Sequence, residues 1–122
     1  MKNYGIGNTF PTSLIRRTVC IKPIDKDYLG ILVGESNLHS YWGHPNTIEA
    51  AKNFLGFDVT PPSARRAIVL TSDNLPTLDG VLLDGIIVVS PTYAAGYRPA
   101  EGEVSSPDKI MCWQLLYVEF IQ

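Results

Sequence analysis

Gly85-Ile86-Ile87-Val88-Val89 places four β-branched residues in succession with no polar residue among them. A strand with one wet face alternates apolar and polar side chains, and this one does not. It reads as a strand buried on both faces, the central one of its sheet. A sheet covered on both sides needs further layers, which points to a small α/β domain. Downstream, Ser90 to Gly102 is a loop punctuated by Pro91, Gly96, Pro99 and Gly102. It carries Tyr93, Tyr97, Arg98 and Glu101, more chemistry than a plain connection needs. Met111 to Ile121 then supplies a long last strand, with Trp113, Leu115 and Tyr117 on one face and Cys112, Leu116, Val118 and Phe120 on the other.

Upstream, Thr71 to Gly80 is a polar hairpin-like loop with Pro76 and Asp79-Gly80. Arg65-Arg66 opens a strand, Ala67-Ile68-Val69-Leu70, after the break at Pro61-Pro62. Nearer the start, Asn3 to Ile6 reads as a first strand ending at Gly7-Asn8, and Pro11 as the first turn of a short helix with Leu14 and Ile15 as apolar contacts. Asn8 is either a turn-former holding its own backbone or a ligand contact. Thr18 to Lys22 is a strand closed by Pro23, and Asp25-Lys26-Asp27 a solvated turn. Tyr28 to Val33 is a further strand, and Leu38 to Trp42 another, with His39 at an edge or on the surface. The expectation is a single domain over residues 1–122, with a mixed sheet of about five to seven strands, one main helix and short helices.

The main helix follows Gly43-His44-Pro45. Asn46 reads as its cap, Thr47 as its first residue, and Glu49 as the capping-box partner. Ile48, Ala51 and Leu55 form one apolar stripe, and Gly56 supplies the left-handed C-terminus. His44 thus stands on a tight turn before a helix N-terminus, where amides and the helix dipole favour an anion. It is either an acid–base group beside a phosphate ester or a turn histidine capping its own helix.

Composition narrows the function classes. The 122 residues are 45% hydrophobic and 18% charged, with a net charge of −2. That balance excludes a general binder of long nucleic acid, while a few arginines suffice for one small anionic ligand. Cys20 and Cys112 lie in apolar β-like runs and are expected to be buried free thiols in a reducing compartment. Two histidines and two cysteines show no zinc-ligand spacing, so no metal or other cofactor is expected. Lys2-Asn3-Tyr4-Gly5 leads into no apolar signal region, and no apolar run reaches the roughly 18 residues of a membrane span. A cytoplasmic protein without membrane contact is the expectation.

Three separated pieces resemble the small viral and prokaryotic ring nucleases, whose viral members act as anti-CRISPR proteins against type III immunity. These are Asn8-Thr9-Phe10 in the Asn-x-Phe signature, and Gly43-His44-Pro45-Asn46-Thr47 opening a helix that ends Leu55-Gly56. The third is Arg98 followed by Glu101-Gly102 after the central strand; an arginine opening the preceding strand matches Arg65 or Arg66. The resemblance runs from residue 3 to about residue 121. Pro11 departs from it, standing where many members have a phosphate-contacting Ser, which passes that contact to backbone amides, Thr12 or Ser13. The loops at 71–80 and 90–97 also look longer than is usual in that family.

The resemblance implies a homodimer that binds cyclic tetra-adenylate in a symmetric interface pocket. It implies metal-free cleavage of that ring to linear di-adenylate with 2′,3′-cyclic phosphate ends. His44 would be the general acid, and Arg98 would stabilise charge on phosphorus. Glu101 would orient Arg98 or the ribose 2′-OH, or share in acid–base work. Asn8, Phe10, Ser13, Gly43, Asn46, Thr47, Arg65 and Arg66 would hold phosphates and adenines. The rival expectation is a non-catalytic module that binds or sequesters the cyclic nucleotide and has no need of His44.

Overall fold

The computed structural model describes residues 1–62, 67–93, 95 and 110–122. In chain order the elements are β1 (Lys2–Gly7), a 3-10 turn at Thr12–Leu14, β2 (Val19–Pro23), α1 (Lys26–Gly34) and β3 (Ser36–Ser40). A second 3-10 turn at Pro45–Thr47 runs into α2 (Ile48–Leu55). Then come β4 (Val69–Leu70), β5 (Pro76–Leu78), β6 (Val81–Leu82), β7 (Gly85–Tyr93) and β8 (Ile110–Phe120).

Five strands form a mixed sheet in the order β2-β8-β7-β1-β3. β1 lies parallel to both β3 and β7, while β8 runs antiparallel to β7 and to β2. The β-branched run therefore occupies the middle strand, with Ile86, Ile87 and Val89 fully buried and Val88 nearly so. Side-chain alternation explains why both faces need cover. Ile87 and Val89 join Tyr4, Ile6, Leu115 and Tyr117 on the face that receives Leu29 of α1 and Ala51 and Leu55 of α2. Ile86 and Val88 join Val118 and Phe120 on the other face, packed with Leu78, Leu83 and the partly buried Leu70. That face is covered by a second, three-stranded antiparallel sheet in the order β4-β5-β6. The result is three layers: helices, the five-stranded sheet, and the small sheet.

The hairpin-like stretch at 71–80 is a hairpin in fact. Asp79 and Gly80 both have positive φ, 50° and 80°, as a two-residue primed turn requires, and Leu78 pairs with Val81. Gly56 closes α2 at φ 84° as anticipated. The assigned faces of β8 are also observed.

Several expectations are corrected. Tyr28 to Val33 is not a strand but most of α1, and Asp25-Lys26-Asp27 is not merely a solvated turn. Asp25 caps that helix, its Oδ1 accepting from the Tyr28 N–H at 2.7 Å. Among the described residues two helices of similar length, 9 and 8 residues, stand where one main helix was expected. β3 ends at Ser40, short of Trp42. β4 is confined to Val69–Leu70, and Arg65 and Arg66 lie outside the described residues. Cys20 and Cys112 are exposed, not buried. Cys20 sits on the edge strand β2 opposite exposed Glu119, and Cys112 near the free end of β8 opposite exposed Thr92. His39 does lie on an edge strand, half-buried, with Nε2 2.9 Å from Asn3 Oδ1.

Candidate functional site

The parallel strands β3, β1 and β7 all point their C-terminal ends the same way. The chain leaving β1 runs to β2 at the far edge of the sheet, and the chain leaving β3 runs through α2 and the small sheet to β7. The carboxyl ends of β3, β1 and β7 therefore lie side by side at one point, on the end of the strands where open α/β sheets take ligands. Asn8 stands at that point, directly after β1, and is 8% exposed. It holds its neighbours on both sides. Its Oδ1 accepts from the Gly43 N–H beyond β3 at 3.0 Å, and its carbonyl accepts from Ser90 Oγ of β7 at 2.7 Å. This is not the bond of a turn-former to its own backbone. Its side chain holds another element's backbone, joining the Asn8-Thr9-Phe10 turn to the Gly43-His44 turn.

The first turn is anchored from below. Tyr41 donates its hydroxyl to the Thr9 carbonyl at 2.7 Å, and its ring lies where a Cβ on Gly7 would come within 2.5 Å. Gly7 is therefore required by the close approach of the ring. Burial pushes the Tyr41 phenol well above its ordinary range, so it stays a neutral donor. Phe10 packs edge-on against Phe120 at 6.1 Å, and Ser13 is exposed on the 3-10 turn.

The second turn departs from the expected cap. His44, in extended backbone (φ −115°, ψ 93°), caps a 3-10 turn in which Pro45 is the first residue, and α2 begins only at Ile48. Asn46 is not the cap. Thr47 N–H donates to the His44 carbonyl at 3.1 Å and Ile48 N–H to the Pro45 carbonyl, so two of the amides foreseen for an anion are spent inside the turn. Thr47 is not a first helical residue but a buried hinge between the two helical segments. Its Oγ1 donates to the His44 carbonyl at 2.9 Å and accepts from Trp42 Nε1 at 2.8 Å. Gly43 and His44 are exposed. His44's side chain makes no capping hydrogen bond, so its ring is presented to solvent rather than used by the helix.

Arg98 and Glu101 lie outside the described residues, as do Arg65 and Arg66. The chain carrying Arg98 and Glu101 leaves from Tyr93 and returns at Ile110, residues paired with each other at the same end of the sheet as Asn8. A cavity of about 250 Å³ also opens at this end, between α2 and the start of β8. It is lined by Ala50, Asn53, Ile110 and the stacked rings of Phe54 and Trp113, and by none of the residues anticipated for the site. Trp42, Tyr41 and Ser90 were not anticipated either. For Trp42 the signal was its place two residues before His44, where an indole N–H, once buried, needs a partner. Among the described residues no group of three or more His, Cys, Asp or Glu is placed to hold a metal, and no helix is long and apolar enough to cross a membrane.

No known protein family matches the sequence, and a search of curated proteins finds no match. Among solved structures the chain is similar to B116 of Sulfolobus turreted icosahedral virus. The TM-score is 0.54 with 16% identity, over 98% of this chain and 99% of that one. At that identity the likeness is one of architecture, and it shows that this chain has the fold of a small viral protein.

Proposed function

We propose that this protein is a metal-independent ring nuclease. It binds cyclic tetra-adenylate in a pocket shared by two protomers and cleaves it to linear di-adenylate with 2′,3′-cyclic phosphate ends. In a virus it would act in the host cytoplasm, switching off type III CRISPR signalling. The observation that carries the reading is the hydrogen bond from the Gly43 N–H to Asn8 Oδ1, 3.0 Å. Two signature turns far apart in sequence meet there, at the carboxyl ends of the parallel strands β1 and β3, the end at which open α/β sheets take ligands. The described ends of the segment holding Arg98 and Glu101 lie at that same end.

The reaction needs no redox partner and no external nucleophile. A ribose 2′-OH gives up its proton to solvent and attacks its own phosphorus, the bond from phosphorus to the 5′-oxygen breaks, and the departing oxygen takes a proton, so protons balance over the cleavage. Solvent-exposed His44 on its rigid turn supplies that proton, and a bound phosphate beside it favours the imidazolium form. Arg98 stabilises the charge that builds on phosphorus. Glu101 orients Arg98 or the 2′-OH, or shares the proton traffic. Arg65 or Arg66, with Asn8, Phe10, Ser13, Gly43 and Asn46, contacts the ring, while buried Thr47 supports the turn from within.

The test is incubation with cyclic tetra-adenylate in EDTA, with the products resolved by chromatography. Linear di-adenylate carrying cyclic phosphate is expected. Binding without cleavage would make the protein a sequestering module instead. Activity lost in EDTA and restored by magnesium or manganese would sink the mechanism.

A further inference from the structure

We infer that Trp42 is a positioning residue for His44, holding the catalytic turn through the His44 carbonyl and Thr47. This rests on the reading of His44 as general acid. Among the described residues the His44 ring makes no capping bond, so its aim is set by the two peptide groups around it. The His44–Pro45 peptide is pinned directly, and the chain is held again one peptide before the Gly43–His44 unit. There the Gly43 N–H is held by Asn8 Oδ1 at 3.0 Å. On the C-terminal side the His44 carbonyl accepts from Trp42 Nε1 at 3.1 Å, Thr47 Oγ1 at 2.9 Å and Thr47 N–H at 3.1 Å. The indole N–H is shared, reaching Thr47 Oγ1 at 2.8 Å as well. Pro45 then fixes the next φ without adding a donor.

The three donors are not equivalent. Two belong to Thr47, which moves with the turn. The third comes from the core, because Trp42 is 4% exposed and packs in the same cluster as Tyr4, Ile6 and Ile87 of the main sheet. Trp42 is therefore the link that refers the position of the turn to the sheet. It is too deeply buried to touch a ligand, so it acts through His44. A general acid displaced by about 1 Å loses on the order of a hundredfold in rate, so an anchor of this kind is visible in turnover.

Trp42→Phe removes the N–H and keeps an aromatic ring. The matched control is Trp113→Phe, which alters the protein's other tryptophan. Two measurements are made: single-turnover cleavage of cyclic tetra-adenylate at saturation together with its Kd, and the NMR order parameter of the His44 backbone amide without ligand. Trp42→Phe is expected to slow cleavage about ten- to a hundredfold with Kd changed less than about threefold, while Trp113→Phe leaves the rate unchanged. The His44 order parameter should fall from about 0.85 toward 0.6. An unchanged rate and order parameter in Trp42→Phe overturns the inference, as does an equal loss in Trp113→Phe. If Trp42→Phe folds poorly, Thr47→Val severs the same indole–hydroxyl bond with the ring intact, and an unchanged order parameter there overturns it too. A wild-type protein that does not cleave the ring defeats the functional reading, and the order parameter alone then decides this one.

Discussion

His44 illustrates how a side chain and its backbone can serve separate ends. Its carbonyl is the most heavily bonded acceptor at the site, while its exposed imidazole contributes nothing to the helix cap. His44→Ala should therefore leave every backbone bond of the turn in place and change stability by no more than about 1 kcal/mol. Cyclic tetra-adenylate should still bind, and the single-turnover rate should fall by roughly two to four orders of magnitude, the usual contribution of a positioned proton donor. Thermal denaturation, calorimetry and product analysis on one preparation check all three. Cleavage at the wild-type rate would return His44 to the status of a turn residue. Histidine beside a helix start was visible in the sequence. The split between carbonyl and ring was not, because it depends on Trp42 and Thr47 being buried together.

Among the elements, α1 is where local signals conflict. Tyr28, Ile31 and Val33 are β-formers in a segment that also holds two glycines, and taken as a run they favour a strand. Tertiary packing favours the helix. Leu29 is 2% exposed and Leu32 and Val33 are partly buried against the same cluster, whereas Ile31 is 76% exposed, as a residue on the far side of a helix should be. Asp25 was the overlooked cue, a cap three residues before the Tyr28 amide it receives. Two substitutions follow from the helical assignment. Gly30 has an ordinary φ and nothing within 4 Å of an added Cβ, so Gly30→Ala should stabilise by about 0.5–1 kcal/mol. Asp25→Ala should destabilise by about 1 kcal/mol. Denaturant titration reads both, and a destabilising Gly30→Ala would contradict the placement of this segment. β8 and the Gly85–Val89 part of β7 were legible because apolar runs buried on both faces have few other homes, whereas Ser90–Tyr93, read as loop because of Pro91, continues β7. The small sheet was legible at Val69-Leu70, within the strand expected from Ala67, and at the Asp79-Gly80 turn, but not at β5 and β6, since strands of two or three residues carry no periodicity. The burial of the cysteines was misjudged because apolar neighbours in sequence do not reveal which positions fall at a sheet's rim.

At the scale of the whole molecule, the proposed activity asks for a second copy of the chain. A ring of four identical nucleotides has two-fold symmetry, and an isologous pair of protomers can present one set of contacts twice. The protein should therefore sediment as a dimer at micromolar concentration and bind one ring per dimer by calorimetry. A monomer, or one ring per chain, would remove the shared pocket. Symmetry also dictates the product. Conversion to di-adenylate requires two cuts on opposite sides of the ring, and each protomer brings one His44. A mixed dimer of wild-type and His44→Ala chains, isolated with two different tags, keeps a single general acid. It should open the ring once at about half the wild-type rate and accumulate linear tetra-adenylate. The second cut should be slowed by the same two to four orders of magnitude as in the doubly substituted dimer. Rapid formation of di-adenylate by the mixed dimer would mean that one His44 serves both phosphodiesters, and that the two halves of the ring are not handled by the two protomers separately.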